Sequence, residues 1–278
     1  MAQKMTLPKW NRRVTGMITV GLCLLGAAAV HSWARTALLP MARWSGVVLL
    51  LLIVSLALFN TRKKIPFLPL VRASLWLQIH VYMGLFAVGL FLLHIDFRMP
   101  TGWLEQILAA VFIIVSISGV IGAWLTRWLP RMMRRSGEAL VYERIPRYRR
   151  EIRDAVEELV LRAEESCGSS TIPDFYLQHV QPYLAQKASF GLSFKGPKRG
   201  GARSLYNELE ARHRYLSDAE KSLAKELVEW IGTKENLDFQ EASQRLLKWW
   251  LFLHIPLSFS LIVLGFVHGF LVFIYSGL

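Results

Sequence analysis

His80 and His94 stand fourteen residues apart in one apolar stretch, ASLWLQIHVYMGLFAVGLFLLHIDFR from Ala73 to Arg98. His254 and His268 stand at the same separation in another, Leu251 to Tyr275. Fourteen residues complete about four turns of a helix supercoiled to about 3.5 residues per turn, so both imidazoles of each stretch face one way. At about 1.5 Å per residue they lie ~21 Å apart along the axis. Two such helices, side by side and co-directional, present two facing imidazole pairs. Neutral imidazole is a good iron ligand, and a facing pair takes both axial positions of a haem iron, leaving none for substrate. The chemistry that follows is electron carriage.

A single histidine in a membrane helix ordinarily makes a polar contact or lines a proton path. A non-redox transporter or scaffold built on such contacts is therefore one alternative. Repetition of the same separation in a second helix favours two haem b groups, with His80/His254 as the inner pair and His94/His268 as the outer pair. His31, at the outer end of the first apolar run, stands where a quinone could bind, which gives a second alternative: a quinol dehydrogenase membrane subunit with a quinone beside one haem. His179 and His213 fall in a polar region outside the pattern.

A flat macrocycle needs room between helices, and glycine supplies it. Gly84 and Gly89 lie between the histidines of one helix and Gly265 between those of the other. Ser116, Ser118, Gly119 and Gly122 on a further helix give either room or close helix contact. Haem propionates attract arginine. Arg98 on the outer side and Arg72 on the inner are the primary candidates, with Arg35, Arg43 and Arg127 behind them, although membrane topology also accounts for each. Pro256, two residues after His254, either opens a helix or kinks one.

The elements that must position these residues are five apolar segments, roughly Val14 to Trp33, Trp44 to Phe59, Leu75 to Ile95, Leu104 to Trp128 and Trp249 to Tyr275. Of the 278 residues, 53% are hydrophobic and 19% charged. A soluble chain of this length does not need several apolar runs of membrane-crossing length. Tryptophans near the segment ends have the amphipathic character expected at lipid headgroups. The net charge of +13 is concentrated beside the apolar runs, so membrane topology explains it and nucleic acid binding is not expected. Lysine and arginine cluster in the N-terminal tail (Lys4, Lys9, Arg12, Arg13), in the second link (Arg62, Lys63, Lys64, Arg72) and after the fourth segment (Arg127, Arg131, Arg134, Arg135). The N-terminus and residues 131–248 are therefore expected in the cytoplasm and the C-terminus outside, in a bacterial-type inner membrane. The third and fifth segments then run the same way.

The N-terminal segment reads as an uncleaved first helix rather than a signal peptide. Cys23 reads as a small buried side chain, and neither it nor Cys167 belongs to a CxxCH or CxxC motif.

Residues 1–130 form the N-terminal membrane part, 131–248 a mostly helical cytoplasmic insertion and 249–278 the last span. Within the insertion, Arg147 to Glu165 carries Ile152, Val156, Leu159 and Val160 on one stripe, a surface helix. Pro173 to Ala185 is expected as a short helix, Ser189 to Ser204 (SFGLSFKGPKRGGARS) as a flexible basic connector, and Leu205 to Ile231 as one long helix. No GxGxxG fingerprint, P-loop or cysteine cluster is present.

With His80, His94, His254 and His268 on its third and fifth segments, the chain resembles the ferric-reductase-like transmembrane domain of NADPH oxidases and metalloreductases. It also resembles the cytochrome b subunits of quinol-linked complexes. The resemblance covers about half of the chain and implies an all-α integral membrane protein: five transmembrane helices with a di-haem four-helix core, all four histidines being axial ligands. No flavin- and nicotinamide-binding stretch follows the fifth segment, and no PEWY stretch occurs. The expectation is an electron-relay subunit of an oxidoreductase complex. It would sit in the lipid bilayer with other subunits, such as a c-type cytochrome or an iron–sulfur protein, as donor or acceptor.

Overall fold

The computed structural model describes residues 9–38, 41–58, 73–135, 140–168, 170–189, 191, 202–212, 214 and 216–276. Lys4, the basic link 60–64, Arg72, His213 and most of the connector 189–204 lie outside the described residues, as do the side chains of Lys9, Arg12 and Arg13.

The described chain is all-helical. It runs α1 (Lys9–Thr36), α2 (Met41–Ala57), α3 (Ala73–His94), α4 (Trp103–Arg135), α5 (Ile145–Cys167), α6 (Thr171–Phe175), α7 (Gln181–Ala185), α8 (Ala202–Arg212) and α9 (Asp218–Ser276). Four of these, α1, α3, α4 and α9, are long and apolar enough to cross a bilayer, and α2 is a shorter apolar helix of 17 residues. Their flanks expose Leu22, Trp33, Trp44, Leu51, Trp103, Val120, Val263 and Phe270. A wide apolar surface of this kind is stable against lipid and not against water. The protein is a multi-pass membrane protein with additional helices outside its apolar spans. Cys23 belongs to the outward surface of α1, not to its packed side.

The chain divides into two compact units: Met1–Ala123 with Leu251–Leu278, and Trp124–Trp250. In the first, α1, α2 and α3 pack closely on one another. A small apolar core of Leu49, Ala87, Leu90, Phe91, Ala109, Phe112 and Leu261 joins α2, α3, α4 and the last part of α9. Helix α3 ends just past His94 in a left-handed turn. Phe97 N–H donates to the Leu92 carbonyl at 3.0 Å and Asp96 N–H to that of Leu93 at 3.2 Å, with φ of 52° at Asp96 and 56° at Phe97. This is a Schellman-type stop made without glycine; aspartate tolerates the left-handed region better than most residues. The Asp96 carboxylate then accepts from Arg35 of α1 at 2.7 Å, which ties the His94 end of α3 to α1.

In the second unit the apolar stripe of α5 is buried as expected, with Ile152, Val156, Leu159 and Val160 all in the core. Gly168, at φ 60°, closes that helix. The expected short helix begins earlier, at Thr171, and is interrupted by one wide π turn, Tyr176–Val180, before Pro182. The wide turn spares the proline ring the carbonyl it would strike in a regular helix.

The expected long helix from Leu205 to Ile231 is in fact two. α8 stops at Arg212, and α9 restarts behind Ser217, whose Oγ accepts from Glu220 N–H at 3.3 Å while the Glu220 carboxylate accepts from Ser217 N–H at 2.8 Å. This reciprocal pair is a capping box. The connector is shorter than expected at its far end, because Ala202 to Ser204 already belong to α8. Pro256 lies inside α9, so it does not open a helix.

Candidate functional site

His80 and His94 sit on α3, and His254 and His268 on the last part of α9. The structure brings His80 within electrostatic reach of His254, and His94 within electrostatic reach of His268. The two helix segments therefore run in the same direction, and the four imidazoles form two pairs. Among the described residues no three His, Cys, Asp or Glu side chains converge as a metal cluster. Two is the number that axial ligation needs, because a macrocycle supplies the remaining iron ligands.

The histidines are held by their neighbours. The Nδ1 of His94 lies 3.0 Å from Ser45 Oγ on α2, and the Nδ1 of His254 lies 3.2 Å from Ser118 Oγ on α4. His80 lies near Leu56 of α2, and both residues line the same cavity. Helix α2 thus holds His94 through Ser45 and stands beside His80 at its other end.

His80 and His254 face one cavity of about 130 Å³, lined also by Leu56, Gly84, Phe112, Ser116, Gly119 and Ser258. Its walls are mostly apolar. Two of its hydroxyls are satisfied within their own helices, Ser116 donating to the Phe112 carbonyl and Ser258 to the His254 carbonyl, each at 2.8 Å. An apolar cavity lined by two imidazoles suits the face and the iron of a haem. The volume falls below the ~300 Å³ typical of small-molecule sites, so a macrocycle requires the walls to stand further apart. The donors and the lining fit the group; the present width must increase to seat it.

The expected glycines divide. Gly84 lines the cavity, with open space where a Cβ would stand. A Cβ at Gly89 would strike the Leu24 side chain of α1, and one at Gly265 would press on Leu50 Cδ1 of α2 at 3.1 Å. These two glycines serve helix contact in this arrangement. Gly46, which sequence reasoning missed, stands against His94: a Cβ there would lie 3.0 Å from the ring's Cε1. Among the arginine candidates, Arg98 is exposed just beyond α3, Arg43 is exposed on α2, and Arg35 is engaged by Asp96. Arg72 lies outside the described residues.

No protein-family model, curated protein or solved structure matches the chain. The functional reading therefore stands on the histidine geometry.

His31 Nε2 lies 3.8 Å from Asp96 Oδ1, the oxygen that also accepts from Arg35. His179 belongs to the other unit, 3.0 Å from Glu208, and takes no part in the histidine pairs.

Proposed function

We propose that the chain is a di-haem b-type cytochrome subunit that relays electrons across the membrane between a donor and a redox partner protein. The observation that supports this reading is the placement of four histidines at one repeated separation, with His80 in electrostatic reach of His254 and His94 of His268. Haem supplies a one-electron couple whose axial positions both imidazoles fill. The chain's own residues hold and orient those imidazoles and wall them with apolar side chains. Arg98 and Arg72 are the residues we assign to the propionates. The N-terminus and residues 131–248 face the cytoplasm in this reading, with α2 as a fifth span. A c-type cytochrome or iron–sulfur protein is the kind of partner it fits.

The test is the optical spectrum of protein purified from native membranes, before and after reduction, with haem extracted and counted. Two b-type haems per chain are expected. Protein that is folded, native and free of haem overturns the reading.

The His31–Asp96 contact favours a quinol-linked form of the same function. Quinol oxidation releases protons together with electrons, and an imidazole beside a carboxylate is a suitable proton acceptor. In this form a short-chain quinol reduces the haems of the purified protein, and His31→Ala slows that step while leaving reduction by dithionite unchanged. Equal quinol rates in the two proteins remove the quinone assignment and leave the di-haem reading standing.

A further inference from the structure

Ser45-Gly46 on α2 and Ser118-Gly119 on α4 are the same dipeptide, and each meets one histidine of a different pair. We propose that these Ser-Gly steps are positioning elements that fix the tautomer and orientation of His94 and His254, turning Nε2 of each ring outward as the ligand atom. The inference rests on the di-haem reading for its purpose, but its geometric content concerns this chain alone.

The stronger half is Ser45. Its hydroxyl is buried and lies 3.1 Å from the Ala42 carbonyl and 3.0 Å from His94 Nδ1. A serine carries one hydroxyl proton, and a carbonyl oxygen only accepts. Assigning the hydroxyl proton to the Ala42 carbonyl leaves the oxygen that faces His94 to accept from Nδ1, and this is the tautomer we infer. Assigned from this network, His94 is the Nδ1–H tautomer and Nε2 carries the free lone pair. Gly46 supplies the steric half, since a Cβ there would stand 3.0 Å from His94 Cε1 and push the ring aside. At the second step the fit is looser. Ser118 Oγ is 3.2 Å from His254 Nδ1, and a Cβ at Gly119 would meet His254 Cε1 at an ordinary 3.8 Å.

A hydrogen bond accepted from the far nitrogen raises the basicity of the ligating one and locks the ring, and loss of such a partner typically weakens metal binding about 10–100-fold. Less electron donation to iron also favours its reduced form.

Wild-type protein and the Ser45→Ala, Ser45→Thr and Ser118→Ala variants are compared for haem release and for the midpoint potential of each haem. Ser45→Ala weakens haem binding at the His94/His268 site about 10–100-fold and raises its midpoint potential. Ser45→Thr keeps the hydroxyl and restores both, and Ser118→Ala acts on the His80/His254 site alone. Haem affinity and potential unchanged by Ser45→Ala overturn the inference and leave the di-haem reading intact. The tautomer is read separately, and without haem, from the nitrogen NMR spectrum of histidine-labelled protein in bilayers, with the His94 signals assigned by their loss in His94→Ala. A protonated Nδ1 at His94 is expected, and a protonated Nε2 with a bare Nδ1 overturns the inference whatever haem content the wild type has.

Discussion

Phe91 of α3 and Phe112 of α4 stack with ring centroids 4.3 Å apart and planes 23° from parallel. Phe91 stands one turn before His94, while Phe112 lines the cavity that His80 and His254 share. The stack joins α3 to α4, and both rings are buried. Phe112→Ala removes the stack and opens a hole beside the cavity, which lowers stability by about 3–5 kcal/mol. Thermal unfolding in detergent measures the loss. In haem-loaded protein the same variant disturbs the spectrum of the His80/His254 site more than that of the other, because only Phe112 borders that cavity.

The pairing itself is testable by substitution. His94→Ala and His268→Ala each abolish one and the same haem signal, and His80→Ala and His254→Ala each abolish the other. An antiparallel arrangement would instead couple His80 with His268. Haem counts and low-temperature spectra of the four variants discriminate these patterns, and loss of the same signal in His80→Ala and His268→Ala refutes the parallel pairing.

The neighbourhood of His80 with His254 and of His94 with His268 is legible in the sequence. Helical period puts each helix's histidines on one face, and the Lys/Arg distribution makes the two helices run the same way. Their holders are less so. In the sequence Ser118 reads only as a small residue and Ser45 and Gly46 carry no signal, although the Ser-Gly dipeptide stands beside a histidine helix twice. A hydroxyl's partner on another helix leaves no periodic trace. The break between α8 and α9 did leave one: Ser217 followed three residues later by Glu220 is a helix-start signature. The spacing of Leu209, Leu216, Leu223 and Leu227 masks it, because it continues one apolar face across the break. Nothing in the sequence marks Lys234 and Asp238, four residues apart on α9, as buried: a partner of Asp238 is Arg149, far away in the chain.

That buried cluster sustains its own prediction. Lys234 Nζ pairs with Asp238 and donates to the Gln186 carbonyl at 3.3 Å, and Arg149 bridges Asp238 at 3.0 Å and Glu241. The Lys234 side chain is 2% exposed. Asp238→Ala leaves that ammonium buried without its carboxylate, and breaking a buried pair from one side costs about 3–5 kcal/mol. The denaturant midpoint of the full chain falls accordingly. Replacing Lys234 and Asp238 together with apolar residues of similar size recovers much of the loss, because no uncompensated charge then remains.

Tyr183 sets the alkaline limit of the same region. Burial first, and then the nearby carboxylates of Glu235 and Asp238 and the Tyr206 phenol, hold its hydroxyl far above the ordinary tyrosine range. The Lys234 ammonium lies 4.0 Å from the ring centroid, over its face. In the unfolded chain the phenol ionises near pH ~10, whereas the folded protein keeps it neutral. A group whose acidity is weakened by folding contributes stability that is full below its unfolded value and is lost as pH rises beyond it. Stability at Tyr183 is therefore constant through neutral pH and declines above about pH 10. Tyr183→Phe has no phenol to ionise and flattens that part of the decline. Denaturant midpoints of both proteins between pH ~8 and ~11 check the slope. Parallel curves for wild type and Tyr183→Phe exclude Tyr183 as its source.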